Sequence, residues 1–220
     1  TPNLLVLTHP TSFFDKDLSA KTGITAIELW AKQMSVPSLL LHDDGEQELY
    51  YYTNCRPDYA LYSKNGAFKT PVNSKNIYVV GGYFHACLTH AIASLLQRQK
   101  KEAFEITLVT DGIYVSGTLL QRPNAAYFGN IKNYMEQRNQ KYIPLSVIIK
   151  SLMQDRYSSE GFDYLKDYLN LSFGQFREHL ENYHTTVTVG GKEVFILESN
   201  NPNSPELRLH LLTSQEIVSQ

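Results

Sequence analysis

Of the two cysteines in the chain, Cys55 and Cys87, the second stands where a thiol could do chemistry. It follows an apolar, β-branched run, Ile77 to Val80, and a pair of glycines, Gly81 and Gly82. It then opens a segment with Ala91 and Leu95 at four-residue steps. That change of period predicts a buried strand, a tight turn and a helix whose first turn carries the sulfur. A thiol so placed lies near the positive end of the helix dipole and beside backbone N–H groups that have no partner within the helix. Both favour a thiolate and could hold an oxyanion. The plainer reading, of equal weight, is a small buried apolar residue at a strand–helix junction.

Other candidates lie at the ends of other predicted strands. Leu4–Leu7 ends at Thr8 and His9, and Ser38–Leu41 ends at His42, Asp43 and Asp44. The central strand runs into Gly81–Cys87, which includes His85, and Phe104–Val109 ends at Thr110 and Asp111. In an open parallel sheet, ligands bind outside the carboxyl ends of the strands. One rim therefore gathers a thiol, three histidines and three carboxylates. This set suits cysteine-nucleophile acyl or amide hydrolysis, in which a base takes the thiol proton and backbone amides hold the oxyanion. Each residue also has a structural reading: Asp43-Asp44-Gly45 as a turn, Asp111-Gly112 as a strand exit, and His9 before Pro10 as a loop cap.

The elements that must position these residues follow an α/β pattern. Ile24 to Met34 has amphipathic helical spacing between the first two strands, and strand, helix and strand in that order form a right-handed parallel βαβ unit. Glu46 to Asn76 is broken by Pro57, Gly66 and Pro71; within it, Leu49–Tyr52 reads as a strand or an aromatic loop. Tyr127–Gln137 is helical, and Leu145–Met153 reads as a strand running into a helix. Beyond it come helical spacing over Phe162–Tyr183 and a hairpin of Thr185–Val189 and Val194–Leu197 about Gly190-Gly191. An alternating strand, Leu207–Leu212, follows. The expectation is an α/β domain over residues 1–153, with a doubly wound parallel sheet, and a C-terminal α+β extension over 154–220 that contains the hairpin.

Composition narrows the classes of partner. The 220 residues carry a formal charge of -2 and a pI near 6.4, with no basic stripe, so nucleic acid is not an expected partner. No apolar run approaches the roughly eighteen residues of a membrane span, so no membrane partner is expected. Two cysteines make no disulfide framework, and a bridge between Cys55 and Cys87 stays open. The 15 tyrosines suit packing with a wet hydroxyl. The chain starts at Thr1 and leads directly into a strand, which leaves a cytoplasmic protein and an exported one with its signal removed both open.

From Leu4 to roughly Met153 the sequence resembles the isochorismatase-like cysteine hydrolases, a superfamily that includes nicotinamidases and N-carbamoyl amidohydrolases. The residues that carry the resemblance are Leu4-Leu-Val-Leu-Thr8 before Phe13-Phe14, and Ala26 to Pro37 leading to the second strand. The most specific are Val79-Val-Gly81 with Cys87-Leu88, followed by Ile106 to Asp111. The resemblance implies a three-layer sheet and makes Cys87 the nucleophile, with N–H groups at and before it as the oxyanion hole. It makes Gly81 the strand-ending glycine. Lys64, before Gly66-Ala-Phe68, is similar to the family's catalytic lysine, and Phe14, His42, Asp43, Gly81 and Asp111 become candidate binding residues. The family's catalytic aspartate falls on Thr8, which cannot act as a general base near neutral pH. A replacement base would be His9, His85 or an acid of the second strand's rim. His42 with Asp43 or Asp44 only echoes the nicotinamidase metal site, so no metal and no cofactor are expected.

Three functions follow. The first is a catalytically degenerate member used for binding or interaction, taking a small-molecule ligand or a protein partner. The second is an altered cysteine hydrolase that cleaves a small amide or ester through Cys87. The third is a structural subunit whose extension mediates homo-oligomers.

Overall fold

The computed structural model describes residues 3–10, 18–42, 57–69, 73–82, 87–99, 102–116, 142–147, 185–189, 192–197 and 209–220. In chain order these form β1 (Asn3–Thr8), α1 (Leu18–Gln33), β2 (Ser38–His42), β3 (Tyr59–Tyr62), β4 (Asn76–Gly81) and α2 (Cys87–Gln99). There follow β5 (Glu105–Ser116), β6 (Tyr142–Pro144), β7 (Thr185–Val189), β8 (Lys192–Leu197), β9 (Leu209–Leu212) and α3 (Ser214–Val218).

The strands lie in the order β3-β2-β1-β4-β5-β9-β8-β7, with β6 paired to β5. From β3 to β9 every neighbouring pair is parallel, and β8 and β7 continue the sheet antiparallel. The centre is β1, whose Leu4–Leu7 are at most 1% exposed. A parallel strand covered on both faces needs such an unbroken apolar run, which is why it is plain in the sequence.

Two chain directions leave the centre. From β1 the chain moves outward to β2 and β3; from β4 it moves the other way to β5. Because parallel crossovers are right-handed, these opposite movements put α1 and α2 on opposite faces of the sheet. The α1 face is a cluster of Leu5, Leu7, Ile24, Ile27, Ala31, Leu40, Val80, Val109, Tyr114 and Ile217. Strand alternation assigns Leu4, Val6 and Thr8 to the other face, under α2 with its buried Leu88, Ala91, Ile92 and Leu95. The result is a doubly wound α/β fold, as the sequence implies, with its switch point between β1 and β4.

Three elements differ from the sequence reading. Strand β5 does not stop at Thr110-Asp-Gly112 but runs to Ser116, because a register shift opposite Val79–Gly81 absorbs the extra residues and Tyr114–Ser116 pair with β6. Strand β3 falls in the segment read as irregular. The C-terminal strand β9, read as part of the extension, pairs parallel with β5 from Ile106↔Leu209 to Val109↔Leu212 and completes the parallel sheet. The hairpin strands pair antiparallel as expected, from Thr185↔Ile196 to Val189↔Lys192. Leu49–Tyr52, read as a strand or an aromatic loop, and the expected helices at Tyr127–Gln137 and Phe162–Tyr183 lie outside the described residues.

Candidate functional site

The C-terminal ends of β1 and β4 are joined at close range. Thr8 is the register partner of Gly81, whose φ is +106°, and a Cβ on Gly81 would stand 1.9 Å from the Thr8 carbonyl oxygen. Only glycine fits that backbone and that approach. The Gly82 N–H then donates to the same carbonyl at 3.0 Å. The Thr8 side chain is fully buried, and among the described residues its hydroxyl has no hydrogen-bond partner.

His9 follows with a positive φ of 42°. This left-handed backbone costs a residue with a Cβ about 1–2 kcal/mol, and two contacts offset it. The His9 N–H donates to the Leu41 carbonyl at 3.0 Å, and ring Nε2 lies 2.6 Å from the Ser63 carbonyl oxygen. A carbonyl only accepts, so Nε2 carries the proton and, in the neutral ring, Nδ1 is the lone acceptor. At 5% exposure the imidazole is a buried bridge from β1 across β2 to the segment after β3.

That segment is a compact turn. The Ser63 N–H donates to the His42 carbonyl at 2.8 Å, the Ser63 hydroxyl to the Ala67 carbonyl at 2.6 Å, and the Ala67 N–H to Asn65 Oδ1 at 3.1 Å. Its tip meets the start of α2. Gly66 has a φ of +86°, and a Cβ there would lie 2.0 Å from the Cys87 carbonyl oxygen. The half-buried Cys87 thiol donates to the Lys64 carbonyl oxygen at 3.8 Å. On the far side, the Phe68 N–H donates to Ser94 Oγ at 3.2 Å.

The structure thus brings Cys87 and Lys64 together and ties His9 and His42 to the same turn through Ser63. It sets Thr8 and Gly81 at the adjoining strand ends. The lysine meets the thiol through its backbone; the residue itself is exposed. The His42 ring packs edge-on against Tyr62 with centroids 5.8 Å apart. Asp111 is engaged elsewhere: one carboxylate oxygen accepts from the Ser214 N–H at 2.7 Å and the other from the Ser214 hydroxyl, tying β5 to the start of α3. Phe14, Asp43, Asp44 and His85 lie outside the described residues. Sequence reasoning missed Ser63, Gly66 and Ser94. Asn65-Gly66 is recognisable turn chemistry, but nothing in it points to Cys87, which lies beyond a whole strand.

Fold and site together define a doubly wound α/β protein with a cysteine at the first turn of the helix that follows the switch-point strand β4. No protein-family model matches the chain, and no curated protein matches it. Among solved structures it is similar to N-carbamoylsarcosine amidase from Thermoplasma acidophilum, with 14% identity over 62% of this chain and 92% of that one and a TM-score of 0.42. It is also similar to an isochorismatase family protein from Desulfovibrio vulgaris (12% identity, 70% and 99% covered, TM-score 0.38). A third is the MAR1 ribonuclease from Caenorhabditis elegans (14% identity, 72% and 87% covered, TM-score 0.40). The resemblance to isochorismatase-family structures is one of fold.

Proposed function

We propose that this chain is a non-hydrolytic variant of the cysteine-hydrolase fold, a module that binds at the switch-point crevice without cleaving there. The observation that carries this reading is Thr8. At the end of β1, on the face that α2 covers, stands a hydroxyl that cannot take up a thiol proton near neutral pH. The Lys64 carbonyl beside Cys87 is no better placed to help. It accepts a hydrogen bond from the thiol and offers nothing to a thiolate. What remains suits binding: a buried hydroxyl without a partner among the described residues and the N-terminal end of α2. The expected occupant is a small molecule with polar atoms for these groups; a protein partner is the alternative.

The test is Cys87-dependent turnover of activated esters and small amides. With p-nitrophenyl acetate we expect wild type and Cys87→Ala to release product at the same rate. Turnover abolished in Cys87→Ala would overturn the proposal.

One observation favours a second reading, the altered hydrolase. The His9 ring is fixed by Ser63 in the tautomer that leaves Nδ1 as a proton acceptor, and a His–Cys pair is chemically sound. On that reading ester turnover would be lost in both His9→Ala and Cys87→Ala.

A further inference from the structure

Strand β3 is the outermost strand of the described sheet on its side. Asp58, Tyr59, Ala60 and Tyr62 are all exposed, Tyr59 at 38% and Tyr62 at 57%. One contact fixes the sense of its backbone. The Ser63 N–H donates to the His42 carbonyl of β2 at 2.8 Å, so strand alternation turns the backbone groups of Leu61 inward and those of Ala60 and Tyr62 outward. Such an edge is a template for a further strand, and proteins guard it by keeping it short or flanking it with charge. Strand β3 has both guards, but its two charges are of opposite sign. Asp58, whose Oδ2 accepts from the Ser38 N–H at 2.8 Å, stands at the head, and the exposed Lys64 stands at the tail.

We propose that β3 pairs antiparallel with β3 of a second copy of this chain, forming a weak twofold dimer. A twofold axis perpendicular to the sheet keeps each face on its own side, so directly opposed residues must have numbers of the same parity. Centring the axis on Leu61 sets Ala60 opposite Tyr62 of the second copy, and Asp58 opposite Lys64 of the second copy. Small meets large and acid meets base. Four backbone hydrogen bonds form, two in each Ala60–Tyr62 pair. Tyr62 keeps its ring contact with His42 in this arrangement. A centre on Ala60 opposes two alanines and sets Asp58 against Tyr62, and a centre on Tyr62 opposes two exposed tyrosines, so either loses both matches. In-register parallel pairing would set like charges side by side. An edge of four residues is too short to bury the roughly 1,200 Å² of a standard interface, so the pair is weak and depends on concentration. The inference is independent of Cys87 and of binding at the crevice.

The experiment is sedimentation velocity of the full chain over rising micromolar concentrations. Wild type should pass from the 25.1 kDa chain to twice that mass and no further. Ala60→Pro removes two of the four intermolecular donors, and an edge strand accepts proline where its N–H faces outward, so the dimer should be lost while the fold stays. Lys64→Glu turns both charge pairs into repulsions and should weaken dimerisation about tenfold. Adding Asp58→Lys to it exchanges the charges and should restore the affinity to within about twofold, which a general loss of stability would not do. Because Lys64 is exposed, Lys64→Glu keeps the fold and decides alone if the other variants do not fold. A wild type that stays monomeric at every concentration overturns the proposal, as do species larger than the dimer. So do folded Ala60→Pro or Lys64→Glu variants that dimerise like wild type, and a folded exchange variant that does not recover.

Discussion

Two strands of the sheet, β5 and β1, treat their polar groups in opposite ways. At β5, Asp111 has both carboxylate oxygens engaged by Ser214, at the start of a helix whose Thr213 and Glu216 side chains complete a capping box. At β1, the Thr8 hydroxyl is buried and has no hydrogen-bond partner among the described residues. The charged residue, which looks functional in a list of residue types, is spoken for by the fold. The modest hydroxyl is left over. Buried polar groups are nearly always paired, so an unpaired one marks the place where structure alone does not account for the residue.

The sharpest way to break the contrast is at its hinge. Gly81→Ala drives a Cβ into the Thr8 carbonyl on a backbone of positive φ. The loss should be about 3–5 kcal/mol, combining left-handed strain with overpacking, and urea unfolding would measure it. A near-neutral result would mean that the join between β1 and β4 is loose. Next comes Asp111→Ala, which leaves the Ser214 N–H and hydroxyl without their acceptor and should cost about 2–3 kcal/mol. Because Ile217 of α3 packs in the core with Leu5 and Leu7, the unfolding midpoint should fall as a single transition.

Thr8→Val should have the opposite sign. It replaces an unpaired buried hydroxyl with a methyl of the same shape, so the protein should gain about 1 kcal/mol. A loss instead would show that the hydroxyl has an acceptor in solution and that the two sites are alike after all.

The smallest effect lies away from both sites. Tyr78, packed edge-on against Trp30 at 5.0 Å, has its pKa held above the usual tyrosine value by burial first and by the charge of Glu105 second. The folded state therefore keeps the phenol proton longer than the unfolded chain does. That contribution is complete below the unfolded value near pH 10 and is lost as pH rises through the higher folded value. Tyr78→Phe should accordingly lose less stability than wild type on moving from about pH 9 to about pH 11. Equal losses would count against the burial of that hydroxyl.

Much of this was legible in the residues. Leu4–Leu7, Leu39–Leu41 and Val79–Val80 are apolar because strands buried on both faces allow nothing else, and Cys87 opens its helix as the change of period implies. Strand β3 was not legible. Its residues are exposed or half-exposed at the sheet's described edge, so Tyr59–Tyr62 carry neither an apolar run nor a clean alternation. Asp111-Gly112 misled for a related reason. The pair usually ends a strand, but here a register shift lets β5 continue past it.

By itself, then, the sequence determined the strand–helix alternation, the central strands and the position of the thiol, because burial on both faces and helical period are local properties of the chain. Tertiary structure decided which rim residues meet. That the last strand pairs with β5, that Asp111 belongs to α3, and that a turn near Gly66 lies on Cys87 are contacts between distant segments. Such contacts depend on sheet order and close backbone approach, and no local pattern of residue types encodes either.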